Sequence, residues 1–466
     1  MPEEANLSPV ELYDIASDFL DQESYDKALK SVRKAIEMDS TYTDAYYLRG
    51  LCFYYQESYP LAIADFHKVI ELDPEGSDSY MNIGMSYSND GNYDLAKVYF
   101  SKALEIEPEN DLPYYHRGIS YRDEGANELA VKDFSEYLRR NPEDVESLIE
   151  RGVCYNRVEE YLLAIQDFEK AIELDATNLY APLQLGFSHA SMSQFDKAIF
   201  FYNQSIELNL DDPEGYKFRG YAYEGKGEIG EAIKDFSRLI ELEPGVPENY
   251  SYRASFYLTQ EDYPSAISDF GVAIKLQPEE AKHFYNRARS NTRAGAFEKA
   301  IEDYNSAIKL RDDFAYAYLG RGRCFFEIDE IEKSLKDIDR AIKIDPEYAD
   351  SFFERARVFA KRNDYEKAID DCNGAIKLEP ENADLFNMRG YCEYQRGRYA
   401  AAIKDFDIAI GLKPKKPNFF IRRGLARAYK GDYKEAISDY DKAIELDPDV
   451  TTTVNALKTA AKYKNR

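Results

Sequence analysis

The sequence predicts an all-α fold of tandem helix hairpins, and three observations carry that prediction. One segment, KVIELDP ending at Pro74, returns as KALEIEP at Pro108, RAIKIDP at Pro346 and KAIELDP at Pro448, always in one 34-residue register. Its last position falls at 40, 74, 108 and every further 34 residues to 448, giving thirteen copies between Pro9 and Val450 without insertion or deletion. Each copy also holds two stretches whose apolar residues recur at helical spacings of three and four. Finally, 44% apolar residues with 40 Tyr and 26 Phe exclude a disordered chain. No apolar run approaches the roughly 20 residues of a membrane helix.

The first stretch of a copy carries a large residue, a small one four later, and an aromatic three after that, as in Tyr46, Gly50, Phe53 and Tyr80, Gly84, Tyr87. These share one helical face, and only Gly or Ala at the small position lets another helix approach closely. A short turn follows, with glycine at 91, 125, 227, 295, 397 and 431. The second stretch places Pro60 and Pro264 in its first turn, where a missing N–H costs little. Its core reads Ala62, Phe66, Val69 or Ala96, Phe100, Ala103, and only Ser334 departs from Ala at the first of these slots.

This pattern of a large residue, small residue, Tyr, Ala, Phe and Pro resembles the tetratricopeptide repeat family over nearly the whole chain. The resemblance implies a right-handed superhelical solenoid of about thirteen helix-turn-helix repeats, with first helices lining a concave groove. The expected units are a lead at 1–8, then repeats at 9–42, 43–76, 77–110, 111–144, 145–178, 179–212, 213–246, 247–280, 281–314, 315–348, 349–382, 383–416 and 417–450. Residues 451–466 follow as a C-terminal capping helix with a basic tail, Lys458, Lys462, Lys464 and Arg466. One departure from the family pattern is systematic: Arg replaces the Leu before the small residue in ten repeats.

In those ten repeats an Asp stands sixteen residues later, as in Arg219 with Asp235 and Arg321 with Asp337. Where the Arg is absent the Asp is absent too: Ile15 with Ser31, Ile83 with Tyr99, Leu185 with Phe201. The covariation inside one chain predicts an ion pair that clamps the two helices of each repeat.

Catalytic chemistry is not expected. Cys52, Cys154, Cys324 and Cys392 occupy one slot shared with Ser and Ala, which marks small packed side chains, and no C-x-x-C occurs. His67, His116, His189 and His283 fall in four different slots, so no nucleophile–imidazole–acid set is assembled by the repeat. No cofactor or metal is expected. A formal charge of −27 argues against nucleic acid or an anionic membrane as partner. The start MPEEANLSPVELYD carries no basic region or apolar core, and a cytoplasmic protein is expected.

Function is then read from a second stripe beside the packing stripe of the first helices. In early repeats it is apolar: Tyr47, Leu51, Tyr54, Met81, Met85 and Tyr115. Stacking between neighbouring first helices and an exposed surface for a peptide both explain it. In repeats nine to eleven the stripe becomes cationic: Arg289, Arg323 and Arg357 share one slot, four residues after Tyr285, Leu319 and Phe353, with Arg293 and Lys361 one turn on. This ladder suits an acidic or phosphorylated partner, unless Glu327 and Glu354 neutralise it. The family's carboxylate clamp is not recognisable, since Lys217 is followed by Tyr221 where Asn is needed, and only Asn82 and Asn286 fit an asparagine ladder. The expected role is a non-catalytic scaffold or adaptor for peptide or protein partners. Its competitors are a head-to-tail homo-oligomer, suggested by a balance of −20 over 9–178 against the basic tail, and a recruiting arm of a separate enzyme.

Overall fold

A computed structural model describes residues 7–464, so most of the expected lead 1–8, and Arg466 of the tail, lie outside the described residues. Among the described residues there are twenty-seven α-helices, no strands, and no helix long and apolar enough to cross a membrane. Odd-numbered helices are the first of each hairpin and even-numbered ones the second. The chain divides into two compact units, 1–235 and 236–466, with the division inside α14 (Ile229–Leu242).

Unit one holds the first helices α1 (Pro9–Asp21), α3 (Thr43–Tyr55), α5 (Ser77–Asn89), α7 (Leu112–Glu124), α9 (Val145–Arg157), α11 (Tyr180–Ser191) and α13 (Pro213–Lys226). Unit two holds α15 (Pro247–Thr259), α17 (Ala281–Arg293), α19 (Ala315–Glu327), α21 (Ala349–Lys361), α23 (Ala383–Gln395) and α25 (Pro417–Lys430). Second helices begin at Tyr25 and then at every thirty-fourth residue to Tyr433. The last helix, α27 (Thr451–Lys464), packs on α26 (Tyr433–Leu446) and buries Val454 and Ala461.

Local sequence explains where helices start and stop. Ser8 caps α1 in a reciprocal box: its Oγ accepts from the Glu11 N–H at 3.3 Å, and its own N–H donates to the Glu11 carboxylate at 2.8 Å. At nine of the thirteen second-helix ends a proline follows and drives the residue before it out of the α region, and Asp39, Asp175, Asn209 and Arg311 reach the same extended conformation without one. Asp73 sits at φ −139°, ψ 92° and Glu107 at φ −130°, ψ 81°. Between the two helices of each hairpin one residue adopts positive φ, and this holds in all thirteen: Gly91, Gly125, Gly227, Gly295, Gly397 and Gly431, but also Glu23, Glu57, Glu159, Ser193, Glu261, Asp329 and Asn363.

Sixteen residues after the small residue of the first helix stands an aromatic ring in ten hairpins, and Val32, Ile338 or Cys372 in the other three. A Cβ on Gly152 would lie 2.7 Å from the Phe168 ring, and Gly50, Gly84, Gly118 and Gly186 face Phe66, Phe100, Phe134 and Tyr202 in the same way. First helices of successive hairpins also touch one another, α7 with α9 and α9 with α11, then α17 with α19, α19 with α21 and α21 with α23. Among the described residues no two second helices make a contact of that extent, so each unit is tightest along its first-helix face.

All ten Arg–Asp pairs form inside their own hairpins. Arg219 donates from Nε to Asp235 Oδ2 at 2.9 Å and from Nη2 to Oδ1 at 2.5 Å; Arg321 meets Asp337 at 2.6 and 2.7 Å. Asp235 is only 4% exposed. The third guanidinium nitrogen reaches back to the preceding hairpin: Arg219 Nη1 donates to Asn203 at 2.6 Å, Arg117 to Ser101 at 2.9 Å and Arg389 to Asn373 at 2.7 Å. The pair is therefore a staple between hairpins as well as a clamp within one. Where it is missing in repeat six an apolar pair fills the place, Leu185 packing in one cluster with Phe201.

Candidate functional site

The arginines of the cationic stripe line two cavities. Arg289 and Arg293 on α17 and Arg323 on α19 line a cavity of about 220 Å³ together with Tyr285, Tyr304, Tyr316, Leu319, Gly320 and Tyr348. Arg357 and Phe353 instead line a separate cavity of about 360 Å³ with Asp350, Asp384, Met388 and Arg422. Lys361 is exposed and pairs with Asp329 at 2.7 Å.

Charge balance differs along the stripe. Arg323 lies 2.9 Å from Glu354 through Nε and donates to Asp350 from Nη2 at 3.2 Å. The Nε contact is close but off-line, so this buried N–H has no hydrogen-bond partner. Glu354, 6% exposed, is also held by Arg357 at 2.7 Å. Arg357 approaches Glu327 at 3.6 Å and stands over the Phe326 ring. Arg323 and Arg357 are thus engaged by carboxylates. Arg289 and Arg293 are exposed and, among the described residues, have no carboxylate partner; Arg289 rests over the Tyr285 ring at 5.7 Å.

Gly320 makes room for one wall of the cavity, the Tyr304 side chain. Its slot, two residues before the small position, holds His116, Glu150, Phe218, Tyr252, Glu354, Met388 or Arg422 in other repeats. Here a Cβ would stand 2.5 Å from the Tyr304 hydroxyl, so the Tyr304 side chain, projecting from α18 (Phe297–Leu310), occupies space that a side chain at 320 would otherwise take. Tyr304 is almost wholly buried and Tyr316 is exposed. Burial raises the phenol pKa of Tyr304 and Tyr285, and burial with Asp350 pushes Tyr348 up to about 12. These phenols are neutral near pH 7, and their hydroxyls can donate or accept. The sequence reading missed Gly320, Tyr304, Tyr316 and Tyr348. A comparison of repeats at the Gly320 slot carries the signal for the glycine, whereas the tyrosines converge only in three dimensions.

The early apolar stripe is mostly half-buried. Tyr47 Oη accepts from Asn82 Nδ2 at 2.9 Å and its ring packs on Phe66; Tyr54 Oη accepts from Asn89 at 2.9 Å. Leu51 and Tyr115 pack against neighbouring core clusters, and Met81 and Met85 are half-buried beside them.

The remaining reactive side chains are in structural settings. All five cysteines are buried and free, and burial pushes the Cys52, Cys154 and Cys392 thiols up to about 12, which keeps them protonated. The fold does place one serine beside a histidine: Ser251 Oγ lies 3.1 Å from His283 Nδ1, whose Nε2 lies 3.1 Å from Gln277 Oε1. Ser251 sits within α15, where the following backbone N–H groups serve the helix and cannot turn to an oxyanion.

Helix hairpins stacked at a fixed 34-residue interval define a helical repeat protein. More particularly, models of the tetratricopeptide repeat match 43–75, 77–110, 115–178, 183–212, 214–245 and overlapping stretches from 253 to 450, and the chain belongs to that family. No curated protein matches the sequence. Among solved structures the chain is similar to the Cut9–Hcn1 hetero-tetramer of the APC/C, with 15% identity, TM-score 0.45, and 98% of this chain and 97% of that one covered. It is similar to yeast Tom70 at 17% identity and TM-score 0.41, covering 98% and 96%. Similarity to the MamA protein reaches 29% identity with TM-score 0.35, over 37% of this chain and 93% of that one.

Proposed function

We propose that this protein is a non-catalytic scaffold that holds peptide or protein partners against its first helices, and that the cavity between α17 and α19 receives an anionic part of the partner. Tetratricopeptide repeats serve protein interaction in general. One observation carries it: Arg289 and Arg293 stand exposed and without carboxylate partners at a cavity, in a chain of net charge −27, while Arg323, Arg357 and Lys361 of the same stripe are paired. Unpaired guanidinium groups in so acidic a molecule are a place where an acidic or phosphorylated ligand gains more than it loses. Phe353, Arg357 and Lys361 extend the surface along α21, and in unit one Tyr47, Leu51, Tyr54, Met81, Met85 and Tyr115 offer an apolar strip for partner side chains.

The test compares acidic and neutral peptides on wild type and on Arg289→Glu with Arg293→Glu, two exposed positions whose change leaves no buried charge unpaired. Affinity for the acidic peptide should fall at least about tenfold while the neutral peptide is unaffected. Equal affinities before and after the change remove the cavity from the reading.

A further inference from the structure

We propose that the cavity between α17 and α19 takes an aromatic side chain of the partner flanked by acidic residues, the ring lying among the tyrosines and the acids on Arg289 and Arg293. This rests on the anion-binding reading above and specifies its occupant. A site for an acid alone needs no enclosed space. This one offers about 220 Å³, more than the roughly 150 Å³ that holds a benzene ring in a protein interior.

The walls suit a ring. Tyr285 and Tyr304 stand 6.0 Å apart between centroids at 57°, and Tyr316 and Tyr348 stand 4.9 Å apart at 68°. A further ring placed against either pair finds the tilted or edge-on neighbours that aromatic groups prefer. The two guanidinium groups without carboxylate partners are exposed, whereas Arg323 is already flanked by Asp350 and Glu354. A phosphate or carboxylate is therefore drawn to Arg289 and Arg293, and an uncharged ring to the tyrosines.

The experiment uses the full chain, fluorescently labelled peptides of one length at fixed ionic strength, and a central Glu-Phe-Glu, Glu-Ala-Glu or Gln-Phe-Gln. Glu-Phe-Glu should bind at least about tenfold more tightly than either other peptide, the ring and the charges each contributing. Tyr316→Ala, at an exposed wall position, should bring Glu-Phe-Glu down toward the Glu-Ala-Glu level and leave Glu-Ala-Glu unchanged. Equal binding of Glu-Phe-Glu and Glu-Ala-Glu overturns the ring and leaves the anion reading standing. Equal binding of Glu-Phe-Glu and Gln-Phe-Gln, or no binding of any peptide, overturns both.

Discussion

Replacing Arg219 with Leu removes three hydrogen bonds at once, two to Asp235 and one to Asn203 of the preceding hairpin. The larger consequence lies with Asp235, which is left buried without a counter-ion, a situation that costs about 3–5 kcal/mol. The double change Arg219→Leu with Asp235→Phe copies what repeat six already does with Leu185 and Phe201. It should recover most of the loss, because an apolar pair of similar bulk needs no charge balance. Urea denaturation of the two variants against wild type measures this, and a double variant no better than the single one would sink the clamp. Burial already pushes the Asp235 carboxyl above its ordinary range, with Arg219 only partly offsetting it. With the guanidinium gone that rise is larger, so the folded single variant binds a proton more readily than its unfolded chain. Its deficit should therefore shrink as pH falls toward the raised value. The Arg–Asp partnership was legible because it varies together across repeats. The link from Arg to the preceding hairpin was not, because its acceptors are chemically mixed: Ser101, Ser135, Asn203, Asp339 and Asp407 share a geometry and no residue type.

At the scale of the helix hairpin, the turn is the element that sequence reading only half resolves. Six turns announce themselves by glycine, but seven others put Glu, Ser, Asp or Asn at the same positive φ. What sets that conformation is the length of the connection between two helices that must fold back on each other, and the residue accepts it. Glu159 at φ 64° therefore carries strain that Gly227 at φ 85° does not. Left-handed backbone costs an ordinary residue about 1–2 kcal/mol, and a glycine returns about 0.5–1 kcal/mol of that in unfolded-chain entropy. Glu159→Gly should stabilise the protein by up to about 1 kcal/mol, and Gly227→Ala, with open space around its Cβ, should destabilise it by about 1 kcal/mol through backbone strain alone. Opposite signs in thermal unfolding support the argument; equal signs reject it. The same reasoning explains why the helices were legible in order and length. Their periodicity and their small residues repeat thirteen times and their closing proline nine, whereas the room for Tyr304 arises at a single departure, Gly320, which averaging over repeats hides.

Across the whole molecule, stability is carried by contacts between neighbouring elements, so a perturbation should stay near its origin. His116 provides a way to see this. It lies on α7, stacked 5.9 Å from Phe100 of α6 (Tyr93–Ile106), and burial lowers its pKa below the ordinary value of about 6.5. The unfolded chain then binds a proton that the folded chain resists, so stability supplied by the neutral imidazole is present above about pH 6.5 and is lost as pH falls below it. His189 and His283 are lowered by burial in the same direction, in their own surroundings. The net charge of −27 works oppositely, since carboxylate repulsion eases as pH approaches the pI of about 4.7. The histidine contribution must therefore be taken as a difference between variants. His116→Leu keeps an apolar side chain of the kind found at Leu48 in the same slot and removes the titration. Hydrogen exchange from about pH 7.5 to about pH 5.5, corrected for intrinsic rates, should show protection falling in α6, α7 and α8 (Asn127–Arg140) of wild type and holding in the variant. Helices of unit two should respond identically in both proteins. A wild-type loss matched by His116→Leu would show that the imidazole is not the sensor, and a loss spread evenly over all hairpins would show that the repeats unfold as one body.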